Sequence, residues 1–187
     1  MAQATAGYPK DLEERVVLSD GAAVHIRPIR PDDADRLTTF YDRLSQQTAY
    51  QRFFSVMRRL PPDWARFLAN VDYVHRLALV AVDEKDPQGH VIAVARYEAI
   101  GGPAKAEVAF VVQDQWQNRG LGTFLFCKLL AAGRARGIDE FQALVLADNP
   151  RMLDLITRLT DVRDRKLDSG VVELRFTVRE PHAAPKR

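Results

Sequence analysis

The fold is decided by the stretch Glu107-Val-Ala-Phe-Val-Val-Gln-Asp-Gln-Trp-Gln-Asn-Arg-Gly-Leu-Gly-Thr123. Its first part is rich in Val and Phe, which predicts a β-strand over residues 105–112. Gly120 and Gly122 follow, and the apolar periodicity of residues 120–136 predicts an amphipathic helix. The first N–H groups of a helix have no intrahelical partner, and glycine lets a ligand approach the main chain. A strand, a glycine turn and a helix N-terminus therefore predict an anion site, best suited to phosphate.

Strands and helices alternate outward from this stretch. Their order predicts a mixed α/β fold, in which a central, twisted and mostly antiparallel sheet of six to seven strands carries helices on both faces. In the helix that begins near Pro61, we expect Trp64, Phe67 and Leu68 to face the core. The predicted strands cover residues 22–29, 77–82, 91–100, 105–112, 141–146 and 171–178, and the predicted helices begin at Pro31, Gln46, Pro61, Gly120 and Asn149.

The composition excludes several classes of protein. One cysteine among 187 residues cannot form a disulfide framework or a cysteine-rich metal site, and the four histidines match no zinc spacing. A net charge of +2 gives no strong attraction to nucleic acid or to an anionic membrane. The N-terminus lacks a signal-peptide core, and no apolar run approaches the roughly 20 residues of a membrane helix. We therefore predict a cytoplasmic protein that needs no metal and binds neither nucleic acid nor membrane.

The spacing of the glycines limits which kind of phosphate-containing ligand the turn can bind. A dinucleotide-binding loop would need a third glycine where Leu125 stands, and a P-loop would need Gly-Lys-Ser/Thr, which does not occur. Gln117-Asn118-Arg119-Gly120-Leu121-Gly122 instead resembles the Gln/Arg-x-x-Gly-x-Gly/Ala pyrophosphate loop of the GNAT superfamily of acyl-CoA-dependent N-acyltransferases. The resemblance runs from about residue 22 to residue 178, and it implies a GNAT fold with acetyl-CoA as co-substrate and no metal.

The resemblance also implies where acetyl-CoA binds. The pantetheine arm would pair with the backbone of the strand before the loop, and the pyrophosphate would lie on the glycine turn. Asn149 precedes Pro150 and is a good helix N-cap, and in the superfamily an asparagine at this helix start also lies near the pantetheine arm. The implied cofactor-binding residues are Phe110, Val111, Val112, Gln117, Asn118, Arg119, Gly120, Leu121, Gly122, Thr123 and Asn149.

Acylation of an amine requires the removal of a proton. A lysine amine with a pKa near 10.4 is neutral in only about one part in 10³ to 10⁴ at pH 7, so deprotonation costs roughly 4–5 kcal/mol. A positioned base, acting directly or through water, lowers that barrier. Glu107 is the candidate, because it lies on the strand that leads into the phosphate turn, between the apolar Ala106 and Val108. The alternative is a surface glutamate at a strand end; as a base, Glu107 should be partly desolvated.

Two segments narrow the resemblance to one branch. Ala-Glu-Val-Ala-Phe-Val-Val, around Glu107, and Tyr50-x-Arg52-Phe53-Phe54 resemble the bacterial protein lysine acetyltransferases, whose members acetylate acyl-CoA synthetases and other metabolic enzymes. In that branch the strand glutamate is the general base. The Tyr50 segment would flank the acceptor cleft, although core packing is the simpler role for Phe53 and Phe54. Arg52 either serves the cleft or forms a surface ion pair.

Several points stay open from the sequence. The acceptor is either a protein lysine or a small amine, and a non-catalytic module that senses acyl-CoA is the third alternative. No tyrosine follows Asn149 as a general acid, and packing better explains Tyr97 and Cys127. Glu98 is a rival carboxylate to Glu107, but an exposed strand position explains it adequately. We expect a single domain over residues 21–180, between a flexible lead-in over 1–20 and a disordered tail over 181–187. That leaves no room for a fused regulatory domain, and the oligomeric state is undetermined.

Overall fold

One eight-stranded sheet organises the computed structural model, which describes residues 7–55 and 57–179. The strand order is β1-β2-β3-β4-β5-β6-β8-β7, and every neighbouring pair is antiparallel except β5 and β6. The strands are β1 Glu14–Val17, β2 Ala23–Pro28, β3 Arg76–Asp83, β4 Val91–Ala99, β5 Lys105–Val112, β6 Glu140–Leu146, β7 Thr160–Asp168 and β8 Val171–Val178. The helices are α1 Ala34–Asp42, α2 Gln46–Phe53, α3 Pro62–Ala69, α4 Leu121–Arg134 and α5 Pro150–Leu159.

The predicted fold class is confirmed, but the strand count was too low. The two strands that sequence reasoning missed, β1 and β7, are the edges of the sheet. Edge strands avoid aggregation by carrying charges, so β7 (TDVRDRKLD) has little apolar alternation to detect. β1 lies inside the predicted lead-in and pairs with β2, for example at Glu14 and Ile26. Residues 1–6 of that lead-in and the predicted tail over 181–187 lie outside the described residues.

Helix α4 packs on one face of the sheet, and α2 lies over the other. Phe126 of α4 contacts the rings of Phe110 on β5 and Phe176 on β8, at centroid distances of 5.2 and 6.0 Å. Side chains alternate between the faces of a strand, so Glu107 and Phe110 of β5 face opposite sides. Within the described part of the chain, no helix is long and apolar enough to cross a membrane.

Helix α3 packs mainly through its alanines, with Leu68 half-buried against the core as predicted. Its buried residues are Ala65 and Ala69, whereas Trp64 and Phe67 are 50% and 52% exposed. The prediction for these two aromatic residues was therefore wrong. Small side chains let a helix approach its neighbours closely, and α3 makes its main contacts with α1.

The parallel strands β5 and β6 pair over only three residues before they separate. The pairs join Lys105 to Glu140, Ala106 to Phe141 and Glu107 to Gln142. Beyond Glu107, β5 continues to Val112 without β6 beside it, and β6 leads into the start of α5. The fold thereby opens a wedge in the middle of its own sheet, with Glu107 where the wedge begins.

Candidate active site

A cleft of about 820 Å³ lies at this wedge. Its walls come from α2, the end of β5, the turn before α4 and the first turns of α5. Of the twelve residues predicted for the site, nine line the cleft: Phe110, Val111, Val112, Gln117, Asn118, Gly120, Gly122, Thr123 and Asn149.

The turn before α4 has the geometry of an anion site. Gly120 adopts the left-handed region at φ +85°, which favours glycine. No side chain caps the helix, and its first helical hydrogen bond runs from the Phe124 N–H to the Gly120 carbonyl at 3.0 Å. The N–H groups of Leu121, Gly122 and Thr123 precede that bond, so they are available to a ligand at the positive end of a 14-residue helix. A pyrophosphate group fits this arrangement.

Two predicted residues direct their side chains away from the cleft. Arg119 donates to Asp20 at 2.7 Å, and its guanidinium lies 4.9 Å from the centre of the Trp116 ring. Leu121 is 1% exposed and belongs to the core. Any contribution that these residues make to phosphate binding therefore comes from their main-chain N–H groups.

The open edge of β5 presents backbone groups to the wedge. The Gln113 N–H donates to the Ile92 carbonyl of the β4 side at 2.9 Å. Because consecutive residues of a strand direct their backbone groups to opposite sides, the N–H and C=O groups of Phe110 and Val112 face away from β4. The Val112 carbonyl accepts a hydrogen bond from Gln117 Nε2 at 3.0 Å. Val111 lines the cleft as well, with its backbone directed towards β4.

Gln117 also joins the turn to α5 through a residue that sequence reasoning missed. Its Oε1 accepts from Arg151 Nη1 at 3.0 Å, and Arg151 lines the cleft. Asn149 is the N-cap of α5, because its Oδ1 accepts from the Met152 N–H at 3.2 Å; this part of the prediction is confirmed. Sequence periodicity gives no signal for Arg151, because only the tertiary fold brings the start of α5 beside the turn.

Glu107 stands half-buried at the start of the wedge, directly opposite Glu98 of β4. Burial raises the pKa of Glu107 above its ordinary value, the charges of Glu98 and Glu173 add to that rise, and Arg52 opposes it. A raised pKa makes a carboxylate a better base. The place of Glu98 could have been found from the sequence, since it and Glu107 are equally far from the centre of the turn between β4 and β5.

Arg52 of α2 carries the positive charge that acts on this carboxylate. It lines the cleft, and burial lowers its pKa to about 10, with Glu107 opposing the change. The guanidinium therefore stays protonated at neutral pH. Its guanidinium carbon lies 4.8 Å from the centre of the Phe53 ring, and within the described residues it has no ion pair.

A cluster of hydrogen bonds fixes α2 to the loop that follows β5. Asp114 accepts from the Ser45 N–H at 3.0 Å, from Ser45 Oγ at 2.7 Å and from Thr48 Oγ1 at 2.8 Å. Burial alone would raise the pKa of Asp114, but these hydrogen bonds outweigh it and lower that pKa. Ser45 is also the N-cap of α2. The loop that leads to the phosphate turn thus positions the helix that carries Arg52.

The remaining predicted residues divide between core and surface. Tyr97 is fully buried and its hydroxyl donates to the Val74 carbonyl at 2.8 Å, which confirms a packing role. Phe53 packs on Tyr41 with ring centroids 5.3 Å apart, whereas Phe54 is 37% exposed. Cys127 was expected to be packed but is exposed. Among residues 7–55 and 57–179, no three His, Cys, Asp or Glu side chains are grouped so that they could hold a metal ion.

Comparisons with known proteins agree with this geometry. A family model described as "Acetyltransferase (GNAT) domain" matches residues 24–160. Acetyltransferase Pat of Mycolicibacterium smegmatis is 37% identical over 158 residues, which cover 84% of this chain and 46% of that protein. An acetyltransferase of Pseudomonas aeruginosa is 31% identical over 153 residues, which cover 82% of each chain. This chain therefore spans less than half of the first relative and most of the second.

A solved structure supports the same assignment. The crystal structure of the GNAT domain of S. lividans PAT matches with a TM-score of 0.83 and 36% sequence identity. The match covers 92% of this chain and 100% of that domain. The structural match over nearly the whole chain, the family match and the wedge that ends at an uncapped glycine turn lead to one conclusion: the chain belongs to the GNAT family of acetyltransferases.

Proposed function

We propose that this chain is an acetyl-CoA-dependent N-acetyltransferase that acetylates the ε-amine of lysines in proteins, with acyl-CoA synthetases as candidate substrates. Glu107 would be the general base. The observation that carries the proposal is the place of Glu107, half-buried and with a raised pKa, where the wedge between β5 and β6 begins. The similarity to proteins named Pat supports a protein acceptor.

The co-substrate is bound mainly by the main chain in this proposal. The N–H groups at the start of α4 receive the pyrophosphate, and the pantetheine arm runs along the open edge of β5, where Phe110 and Val112 present their backbone groups. Asn149 approaches the arm from the start of α5. This path leads the thioester along β5 from Val112 towards Glu107.

The chemistry is a direct transfer between two substrates. Glu107, directly or through water, takes a proton from the acceptor ammonium, and the neutral amine attacks the carbonyl carbon of the thioester. A C–N bond forms, the C–S bond breaks, and the sulfur leaves as the thiolate of CoA. As the amide forms, the nitrogen loses its second proton to solvent or to the thiolate, so the products are an acetyl-lysine and CoA. No covalent intermediate with the protein is needed.

The leaving thiolate does not require a dedicated acid. A free thiol has a pKa near 8.5, so its thiolate is a reasonable leaving group. Burial raises the pKa of Tyr97 to about 12, and its hydroxyl already donates to a backbone carbonyl. We therefore assign no general acid to the described residues.

The proposal is tested by mapping acetyl-lysines in lysate proteins with mass spectrometry after incubation with acetyl-CoA and the purified chain. Wild type should acetylate a defined set of lysines, and Glu107→Gln should lower the rate by about 10²- to 10⁴-fold. Glu98→Gln is the matched control, because it removes a carboxylate from the adjacent position of the same face. It should retain most of the activity.

The outcomes separate the alternatives left open by the sequence. Unchanged transfer by Glu107→Gln would remove the assignment of the base. Transfer to free amines but to no protein would favour a small-molecule acetyltransferase. Tight binding of CoA without transfer to any amine would favour a sensor of acyl-CoA.

A further inference from the structure

An arginine is buried near Glu107 without an ion pair among the described residues. Arg96 of β4 is 7% exposed, and its Nη2 is buried without a hydrogen bond. In the register of the sheet it lies between two alanines, Ala78 of β3 and Ala109 of β5. Because it is directly opposite Ala109, its side chain is on the same face as Glu107. Ala109 beside this arginine is half-buried.

Arg52 approaches the same face from α2, and the charges of Glu107 and Glu98 partly offset those of Arg52 and Arg96, respectively, without forming ion pairs with them. Among the described residues, neither Arg52 nor Arg96 forms an ion pair, whereas the neighbouring Arg76 lies 3.5 Å from Glu98. Burial lowers the pKa of Arg96 to about 9, the charges of Arg52 and Arg76 add to the effect, and Glu98 opposes it. The two groups therefore lie close enough to repel each other.

Such an arrangement is unfavourable in an empty protein. An unpaired buried charge is strongly destabilising, and a buried donor without a partner calls for an occupant. Glu98 and Glu107 are the nearby carboxylates, but Glu98 already lies 3.5 Å from Arg76, and in the proposed reaction Glu107 must accept a proton. A further anion would satisfy the guanidinium groups and leave Glu107 free to act as a base.

We propose that Arg52 and Arg96 form a subsite for a carboxylate that the acceptor carries close to its reacting amine. This inference rests on the proposed function and specifies its acceptor. A guanidinium binds a carboxylate through two parallel hydrogen bonds, which gives orientation as well as attraction. The carboxylate is either an Asp or Glu side chain beside the acceptor lysine of a protein or the α-carboxylate of a free amino acid.

The subsite also explains how a cationic amine reaches a site with two positive side chains. The carboxylate of the acceptor compensates for the repulsion between its ammonium group and the arginines. Once the acceptor is bound, nearby positive charge favours the neutral form of the amine. The same two residues would thus select the acceptor and assist its deprotonation by Glu107.

Matched acceptors test the subsite. In one arm, a single Glu is moved through the positions that flank the lysine of a peptide, and each peptide is compared with its Gln counterpart. In the other arm, free lysine is compared with lysinamide, which lacks the carboxylate. We expect kcat/KM to be about tenfold higher or more for the carboxylate form of at least one pair. A preference in the first arm identifies a protein side chain, and one in the second identifies an amino acid.

Variants connect the preference to the two arginines. Arg96→Met should bring the ratio between carboxylate and amide acceptors close to one, and Arg52→Lys should keep part of the preference that Arg52→Gln loses. Arg58→Met removes the same charge from an exposed position and should leave the ratio unchanged. Arg96→Met should also raise Tm, since it replaces an unpaired buried charge by an apolar side chain, so loss of preference would not reflect unfolding.

A binding measurement separates failure of the subsite from failure of the proposed function. Peptides with acetyl-lysine and a flanking Glu or Gln are titrated into wild type and Arg96→Met by calorimetry. Tighter binding of the Glu peptide by wild type alone supports the subsite even if no lysine is acetylated. Acetylation of lysines with equal rates and equal binding for Glu and Gln peptides, and equal rates for lysine and lysinamide, would overturn the subsite and leave the proposed function intact.

Discussion

Glu107 carries a charge that the folded protein disfavours. Burial raises its pKa, and the carboxylates of Glu98 and Glu173 add to the rise against the opposing charge of Arg52. The native state therefore holds the proton of Glu107 more tightly than the unfolded chain does. By linkage, the contribution of this group to stability is most favourable below its unfolded pKa and declines as pH rises through its folded pKa.

Because stability declines as Glu107 ionises, Glu107→Gln should change the stability of the protein in a pH-dependent way. At pH 7 the variant should have a higher free energy of unfolding than wild type, because glutamine resembles the protonated carboxyl group that the site prefers. The difference should fade as pH falls below the unfolded pKa of about 4.3 and vanish near pH 3, well below that value. Urea unfolding at a series of pH values measures it, and the low-pH points serve as the internal control. A difference that stays constant with pH would contradict the raised pKa.

The individual residues of the site differ in how far the sequence predicts them. Glu107 and Gly120 were found because strand, turn and helix follow one another along the chain, so local pattern is sufficient. Arg151, which lines the cleft, and Arg96, which we propose for the acceptor subsite, were missed because only the packing of α5 and the strand register place them there. The exposed Trp64 was misplaced because hydrophobicity alone does not determine which side of α3 packs.

At the level of secondary-structure elements, α4 lies so close to β6 that even a methyl side chain at Gly133 would clash with the sheet. A Cβ added at Gly133 would lie 2.9 Å from Cζ of the Phe141 ring, and that ring is fully buried and stacked near Phe176. Glycine at this position therefore sets the distance between the helix and the sheet. The helix propensity that alanine would add is smaller than the strain of moving a buried ring.

We predict that Gly133→Ala lowers the free energy of unfolding by about 1–3 kcal/mol. Gly122→Ala is the matched control in the same helix, since its Cβ would lie 3.5 Å from Val112 Cγ2, an ordinary contact. In the absence of acetyl-CoA this control should be nearly neutral. Denaturant unfolding of both variants measures the effect, and equal stability of the two would contradict the close packing of α4 on β6.

At the scale of the whole molecule, the cleft joins elements from both halves of the chain. It takes α2 from the first half and β5, α4 and α5 from the second. The mixed sheet was predictable from the order of the central strands. A charged edge strand such as β7 lacks the apolar alternation by which a strand is recognised in the sequence.

Acetyl-CoA should stabilise the whole domain, because a ligand that binds only the folded state shifts the unfolding equilibrium. At 100 times its Kd the gain is about 2.7 kcal/mol, which corresponds to a rise in Tm of roughly 5–10 °C for a protein of this size. S-acetylpantetheine at the same concentration is the control, since it lacks the pyrophosphate that the start of α4 should bind. Thermal scans that show equal shifts for both ligands would contradict that role of the helix.

The short pairing of β5 with β6 leaves a row of peptide groups unused inside an otherwise continuous sheet. A ligand that fills this gap behaves as an inserted strand, and it is recognised by atoms that every amino acid except proline shares. Replacing side chains one at a time would consequently underestimate the importance of this surface. If the acyl donor binds there as proposed, selective pressure can alter the residues of the proposed acceptor side while the means of holding the donor persists through large changes in sequence.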